Sequence, residues 1–69
     1  MRDRAKQLLQ KMSTAIDNGE VNSFDSEFYI DFPDDVIVDL ANNGYILSRG
    51  NISGTIVLTE LGYEEATVF

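Results

Sequence analysis

Asp34, Asp35 and Asp39 fall close together in the stretch FPDDVIVDLANN. Asp35 and Asp39 are one turn apart if the stretch is helical, and two carboxylates at that spacing can share a hard cation such as magnesium or calcium. A dedicated site also needs a glycine-containing loop and further oxygen ligands, which the neighbouring residues do not supply. The plainer reading is an acidic first helical turn followed by a solvated face. The 69 residues include no cysteine and no histidine, so disulfides, the common zinc sites and imidazole acid-base chemistry are excluded. A nucleophile would have to be Ser, Thr, Lys, Tyr or a carboxylate, and no Ser-Lys pair or glycine-elbow motif frames one. Neither GNISG nor NNG resembles a phosphate-binding loop, since no Lys or Ser/Thr follows at the required spacing. The expectation is a protein that is not an enzyme and holds no cofactor or metal.

Charge along the chain is uneven. Residues 1 to 11 carry Arg2, Arg4, Lys6 and Lys11 against Asp3, whereas from Met12 to Ser48 there are eight acids and no base. Arg49 interrupts this acidic field, and Glu60, Glu64 and Glu65 follow it. A net charge of -7 on so short a chain opposes approach to a polyanion, because generic nucleic-acid affinity comes from Lys and Arg neutralising phosphates. The residues available for nucleic-acid contacts are Arg2, Arg4, Lys6, Lys11, Arg49 and Asn51.

The elements that must position these residues can be read from periodicity and turn chemistry. Ala5, Leu8, Leu9, Met12, Ala15 and Ile16 recur at spacings of three and four, the stripe of an amphipathic helix. Lys6, Gln7, Gln10, Lys11 and Ser13 form its wet face, and Asn18-Gly19 should close it. Residues 20 to 32 are ambiguous. Alternation of Phe28, Ile30 and Phe32 favours a short strand over 28–32, while Phe24 and Phe28 at i,i+4 after Ser23 would suit a short helix. The strand is preferred here, with Phe28 and one of Phe24 or Phe32 in the core. A second helix, 33–43, should begin at Pro33, with Asp34 and Asp35 at its positive end and Ile37, Leu40, Ala41 and Val36 as its buried stripe. Asn42-Asn43-Gly44 closes it. Tyr45–Arg49 and Thr55–Thr59 read as the strands of a hairpin around GNISG, with Ile46, Ile56 and Leu58 facing the helices. Thr59 should cap a short C-terminal helix over Glu60–Ala66. No apolar run approaches the roughly 20 residues of a membrane span, and charges and glutamines interrupt the first segment, so a cytoplasmic, single-domain protein is expected.

In this order Leu40, Gly44, Tyr45, Ile46, Leu58, Thr59 and Gly62 form a pattern, "LANNGYI" leading through a hairpin to "LTELGYE". It resembles the winged-helix superfamily, and most of all the small YjcQ-like winged-helix proteins of bacteria and their phages. The fold class implied is α+β, a small winged helix: helix 1, a short middle strand or helix, helix 33–43, a β-hairpin wing 45–59 and a short C-terminal helix. The middle segment is short for a full strand, helix and turn, which suggests a trimmed helix-turn-helix. In DNA-binding members the helix before the wing enters the major groove, which places that role on Asp34 to Asn43. This chain departs from the pattern there, because the helix offers Asp34, Asp35, Asp39, Asn42 and Asn43 and no Lys or Arg. Carboxylates can accept from cytosine amino groups, but without cations to hold the phosphates the backbone repels them first.

Three functions remain. The first is a regulatory or accessory interaction module of bacterial or phage type, binding an unknown basic protein through an acidic face of Asp31, Asp34, Asp35, Asp39 and Asn42. The second is a DNA-binding regulator that uses helix 1 and the wing, where Arg49 and Asn51 sit. The third is an acidic phage inhibitor that imitates nucleic acid. A homodimer is also expected, with Val38, Val68 and Phe69 as contacts, because so small a core gains from further burial. In such a dimer the basic helix 1 of one chain could pair with the acidic middle of the other.

Overall fold

A computed structural model of the chain describes residues 3–48 and 54–68. Arg2, Arg49, Asn51 and Phe69, named above as contact residues, lie outside the described residues. Helix α1 runs Asp3–Asp17, and its stripe of Ala5, Leu8, Leu9 and Met12 is completely enclosed. Ser13, expected on the wet face, is buried instead; its hydroxyl donates to the Gln10 carbonyl at 3.1 Å, so the polar atom enters the core with a partner. Gly19, with φ of 93°, closes the helix. Its N–H bonds the Ile16 carbonyl at 2.9 Å and the Glu20 N–H bonds the Ala15 carbonyl at 3.1 Å, the paired closure that a left-handed residue permits.

The strand expected over 28–32 is absent. Residues 26–31 form successive turns, with the Phe28 N–H on the Asp25 carbonyl at 3.1 Å and the Phe32 N–H on the Tyr29 carbonyl at 3.0 Å. The alternation misleads because Ile30 is 73% exposed, whereas Phe24 is the residue driven into the core. Phe24 and Phe28 still meet across one turn, ring centroids 4.4 Å apart, so the spacing of four decides the local conformation rather than the spacing of two.

Extended structure in this segment is confined to Phe24. The hairpin strands β1 (Ile46–Ser48) and β2 (Ile56–Leu58) pair antiparallel with Ile46 opposite Leu58 and Ser48 opposite Ile56. On the other side of β2, Phe24 exchanges both backbone hydrogen bonds with Ile56 at 2.8 Å each. One step along, the ladder is continued by a side chain. The Asn22 amide nitrogen donates to the Leu58 carbonyl and its oxygen accepts the Leu58 N–H, both at 2.8 Å. A carboxamide presents one donor and one acceptor side by side, as a strand residue does, so Asn22 completes the edge without a third strand.

Helix α2 spans Asp34–Asn42 and α3 spans Glu60–Thr67. Pro33 stands one residue earlier than expected, as the extended N-cap of α2. Val36 and Leu40 are buried, Ile37 is half-buried, and Ala41 is exposed, a correction to the expected stripe. Gly44, with φ of 76°, closes α2 in the same way as Gly19 closes α1, through Gly44 N–H to Ala41 O and Tyr45 N–H to Leu40 O, each 3.0 Å. The strands are shorter than the expected 45–49 and 55–59, but Ile46, Ile56 and Leu58 face inward as expected. Thr59 joins three elements: its hydroxyl accepts the Gly62 N–H at 3.0 Å as the cap of α3 and donates to the Gly44 carbonyl at 2.7 Å. Gly62 lets α3 approach the start of β1, because a Cβ there would sit 2.2 Å from the Tyr45 carbonyl oxygen. α1 packs on α3, α2 and β2, with Leu8, Leu9 and Met12 at the centre. Among the described residues no helix is long and apolar enough to cross a membrane.

The edge role of Asn22 predicts that Asn22→Ala, which leaves the N–H and carbonyl of Leu58 without protein partners, loses about 1–3 kcal/mol of stability. Urea denaturation checks this. Asn22→Asp, which keeps one acceptor but offers no donor, should recover only part of the loss.

Candidate partner-binding face

The cations of α1 do not stand free above its surface. Lys11 Nζ donates to the Phe28 carbonyl at 2.7 Å and lies 4.5 Å from the centre of the Phe28 ring. Arg4 donates to the Asp31 carbonyl at 3.3 Å and lies 5.6 Å from the centre of the Phe32 ring. Each cation therefore meets one backbone oxygen and one aromatic face of the middle segment. These contacts hold a run of turns that has little regular hydrogen bonding of its own. Lys6 is half-buried and lines a shallow polar groove with Asp3, Gln7 and Gln10. Of the expected nucleic-acid contacts, Arg4 and Lys11 are thus drawn to the middle segment.

The acidic residues are placed differently. Around α2 at about 100° per residue, Val36 and Leu40 mark the buried side, and Val38 falls directly opposite them, 56% exposed. Asp34, Asp35, Ala41 and Asn42 share the exposed arc with Val38. Asp31 is also exposed, two residues before Pro33. Asp39 turns to a half-buried flank, where its backbone carbonyl accepts the Asn43 side-chain amide at 2.7 Å. Four of the five expected face residues are thus exposed, and Asp39 stands at their margin. Val38 and Val68, expected as dimer contacts, are both 56% exposed but belong to different elements, α2 and the residue after α3.

Two further contacts carry no signal in the sequence, because they join residues far apart in the chain. The Tyr29 hydroxyl donates to the Gly54 carbonyl, tying the middle segment to the approach to β2. The Tyr63 hydroxyl donates to Asp17 Oδ1 at 2.5 Å, joining α3 to the last turn of α1. That carboxylate holds the Tyr63 proton above the ordinary value of 10.0, first through the hydrogen bond and then through its charge, with a smaller contribution from burial. Among the described residues no three acids converge closely enough to hold a metal ion. What the exposed face of α2 offers is an apolar centre with carboxylates and an amide around it. Comparison with protein-family models, with curated proteins and with solved structures found no match to this chain.

Lys11→Met keeps the aliphatic stem and removes the charge, so stability should fall by about 1 kcal/mol through loss of the carbonyl and ring contacts, as read from urea midpoints. The Tyr63–Asp17 contact gives a pH dependence of definite sign. Because folding raises the Tyr63 pKa, the contact's stabilisation is fully present below the unfolded tyrosine pKa and is lost as pH rises through the folded one. Tyr63→Phe should lower stability near neutral pH and reduce the further loss in the alkaline range. The difference between ultraviolet titrations of the parent and of that variant should place the Tyr63 ionisation above the ordinary tyrosine value.

Proposed function

We propose that this chain is a small winged-helix protein working as a non-enzymatic interaction module, a regulatory or accessory component that docks the acidic face of α2 on a basic protein. The element order supports the winged-helix reading. A first helix is followed by a residue pairing at the far side of β2, then turns where a second helix would stand, then a helix, a hairpin and a last helix. On this reading α2 occupies the recognition position, and the residues that would face a DNA groove are those of the exposed arc.

One observation carries the functional reading: Arg4 and Lys11 are engaged by the middle segment, while the exposed face of α2 bears carboxylates and no cation. A DNA-binding protein needs the opposite distribution, with cations on the recognition face that are free to form phosphate contacts, whereas Arg4 and Lys11, though exposed, are already engaged. A basic protein surface fits the face as it stands, since opposite potentials speed encounter and fix orientation.

The reading is tested by fluorescence anisotropy at low salt with two probes, random duplex DNA and an oligolysine peptide. Nonspecific DNA binders reach Kd values of about 10⁻⁴ to 10⁻⁶ M, so no response to DNA is expected at about 100 µM protein. Oligolysine should bind with steep salt dependence, and Asp34→Asn with Asp35→Asn should weaken it. DNA binding that falls steeply with salt, or oligolysine binding unaffected by the two substitutions, would overturn the reading.

A further inference from the structure

The exposed face of α2 is not uniformly polar, and its pattern narrows the kind of partner. Val38 lies at the centre of the arc, 56% exposed, and Ala41 lies one turn further on. Ala41, with its small side chain, continues the row Asp35, Val38, Ala41 at spacings of three, and the row Asp34, Val38, Asn42 crosses it at spacings of four. Rows at these spacings are the ridges against which the side chains of a second helix pack. An oligolysine strand would satisfy the acids and leave Val38 in water.

We propose, resting on the docking reading above, that this face takes a basic amphipathic helix of a partner protein. Leucine- or isoleucine-like side chains of that helix cover Val38 and Ala41, and its Lys or Arg residues lie on either side, toward Asp34 and the other acids of the arc. Charge complementarity decides among the occupants of such a ridge. A second copy of this chain would bring Asp34, Asp35 and Asp39 of two α2 helices to one interface without any cation from either helix, and desolvated like charges oppose association. A purely apolar helix would partly desolvate Asp34 and offer its carboxylate no partner. A helix with apolar residues at i, i+3 and i+4 and cations beside them satisfies both requirements.

The test uses the full chain and three synthetic peptides with the same number of lysines: a Leu/Lys peptide patterned as an amphipathic helix, a scrambled peptide of the same composition, and a shorter oligolysine. The patterned peptide should bind at least about tenfold more tightly than the other two, which matches burial of a valine-sized apolar surface. Val38→Asp should remove that advantage even though it adds a negative charge, which on electrostatics alone would favour a basic peptide. Val38→Ala, which perturbs the helix least, should reduce the advantage about threefold. Val68→Asp, an equal charge change at an equally exposed valine on another element, should leave it intact. Circular dichroism confirms that each variant is folded.

Equal binding of all three peptides, unaffected at Val38, would overturn the helix proposal and leave the acidic docking reading standing. Failure of every basic peptide would overturn both. Concentration-dependent self-association by light scattering, abolished by Val38→Asp, would assign the ridge to a second copy and overturn the proposal.

Discussion

Leu8, Leu9 and Met12 of α1 form the surface on which the other elements depend. α2, α3 and β2 each pack on α1, whereas the hairpin, a two-stranded sheet of three residues per strand, is too small to be stable by itself. A chain of 69 residues buries a limited share of its apolar surface, so loss of one large side chain from this stripe would remove a substantial part of the contact shared by several elements. The hydrogen-bonded joints are arranged around the same surface. Gly44, Thr59 and Gly62 bring α2, β1 and α3 together at one corner. Beside that corner, Tyr63 ties α3 to the last turn of α1 through Asp17.

The parts that could be read from sequence are those set by neighbours in the chain. Gly19 and Gly44 stop their helices where a residue without Cβ is required, and Thr59 caps α3, because capping and left-handed closure involve groups no more than five residues apart. The inward positions Ile46, Ile56 and Leu58 follow from alternation once the hairpin is placed. Residues 20–32 could not be read in this way. Their conformation is set by Asn22 on Leu58, Phe24 on Ile56, Tyr29 on Gly54, and Arg4 and Lys11 on Asp31 and Phe28, partners 17 to 36 positions away. Against these contacts the alternation of Phe28, Ile30 and Phe32 has no weight. Ser13 and Ala41 depart from the expected burial for a simpler reason. Each lies at the margin of a helical stripe, where the width of the neighbouring element decides burial.

The acidic residues on α2 were legible as a group, since helical periodicity places Asp34, Asp35 and Asn42 on one arc once Val36 and Leu40 are turned inward. The surroundings of the basic residues were not. Periodicity puts Arg4 and Lys11 on the solvent side of α1, and a list of charges makes them available to phosphate. In the structure both stay exposed, but backbone oxygens and aromatic faces of the middle segment meet both cations.

This arrangement sets stability of the middle segment against nucleic-acid affinity. For Arg4 and Lys11 to engage phosphates fully, they would have to leave the carbonyls of Asp31 and Phe28 and withdraw from the rings of Phe32 and Phe28. Phe28 is half-buried beside Phe24, and Phe24 holds the free side of β2 through Ile56. Disturbing the cations therefore disturbs the hairpin that a winged helix would use for its own contacts. Phosphate binding through α1 and a well-packed hairpin are competing demands in this sequence. Asp34, on the exposed arc of α2, faces no such conflict, because none of the hydrogen bonds that close the core depends on its side chain. Selection for a partner can act on that face without loss of fold, which is the physical reason to look for function there and not on the more basic helix.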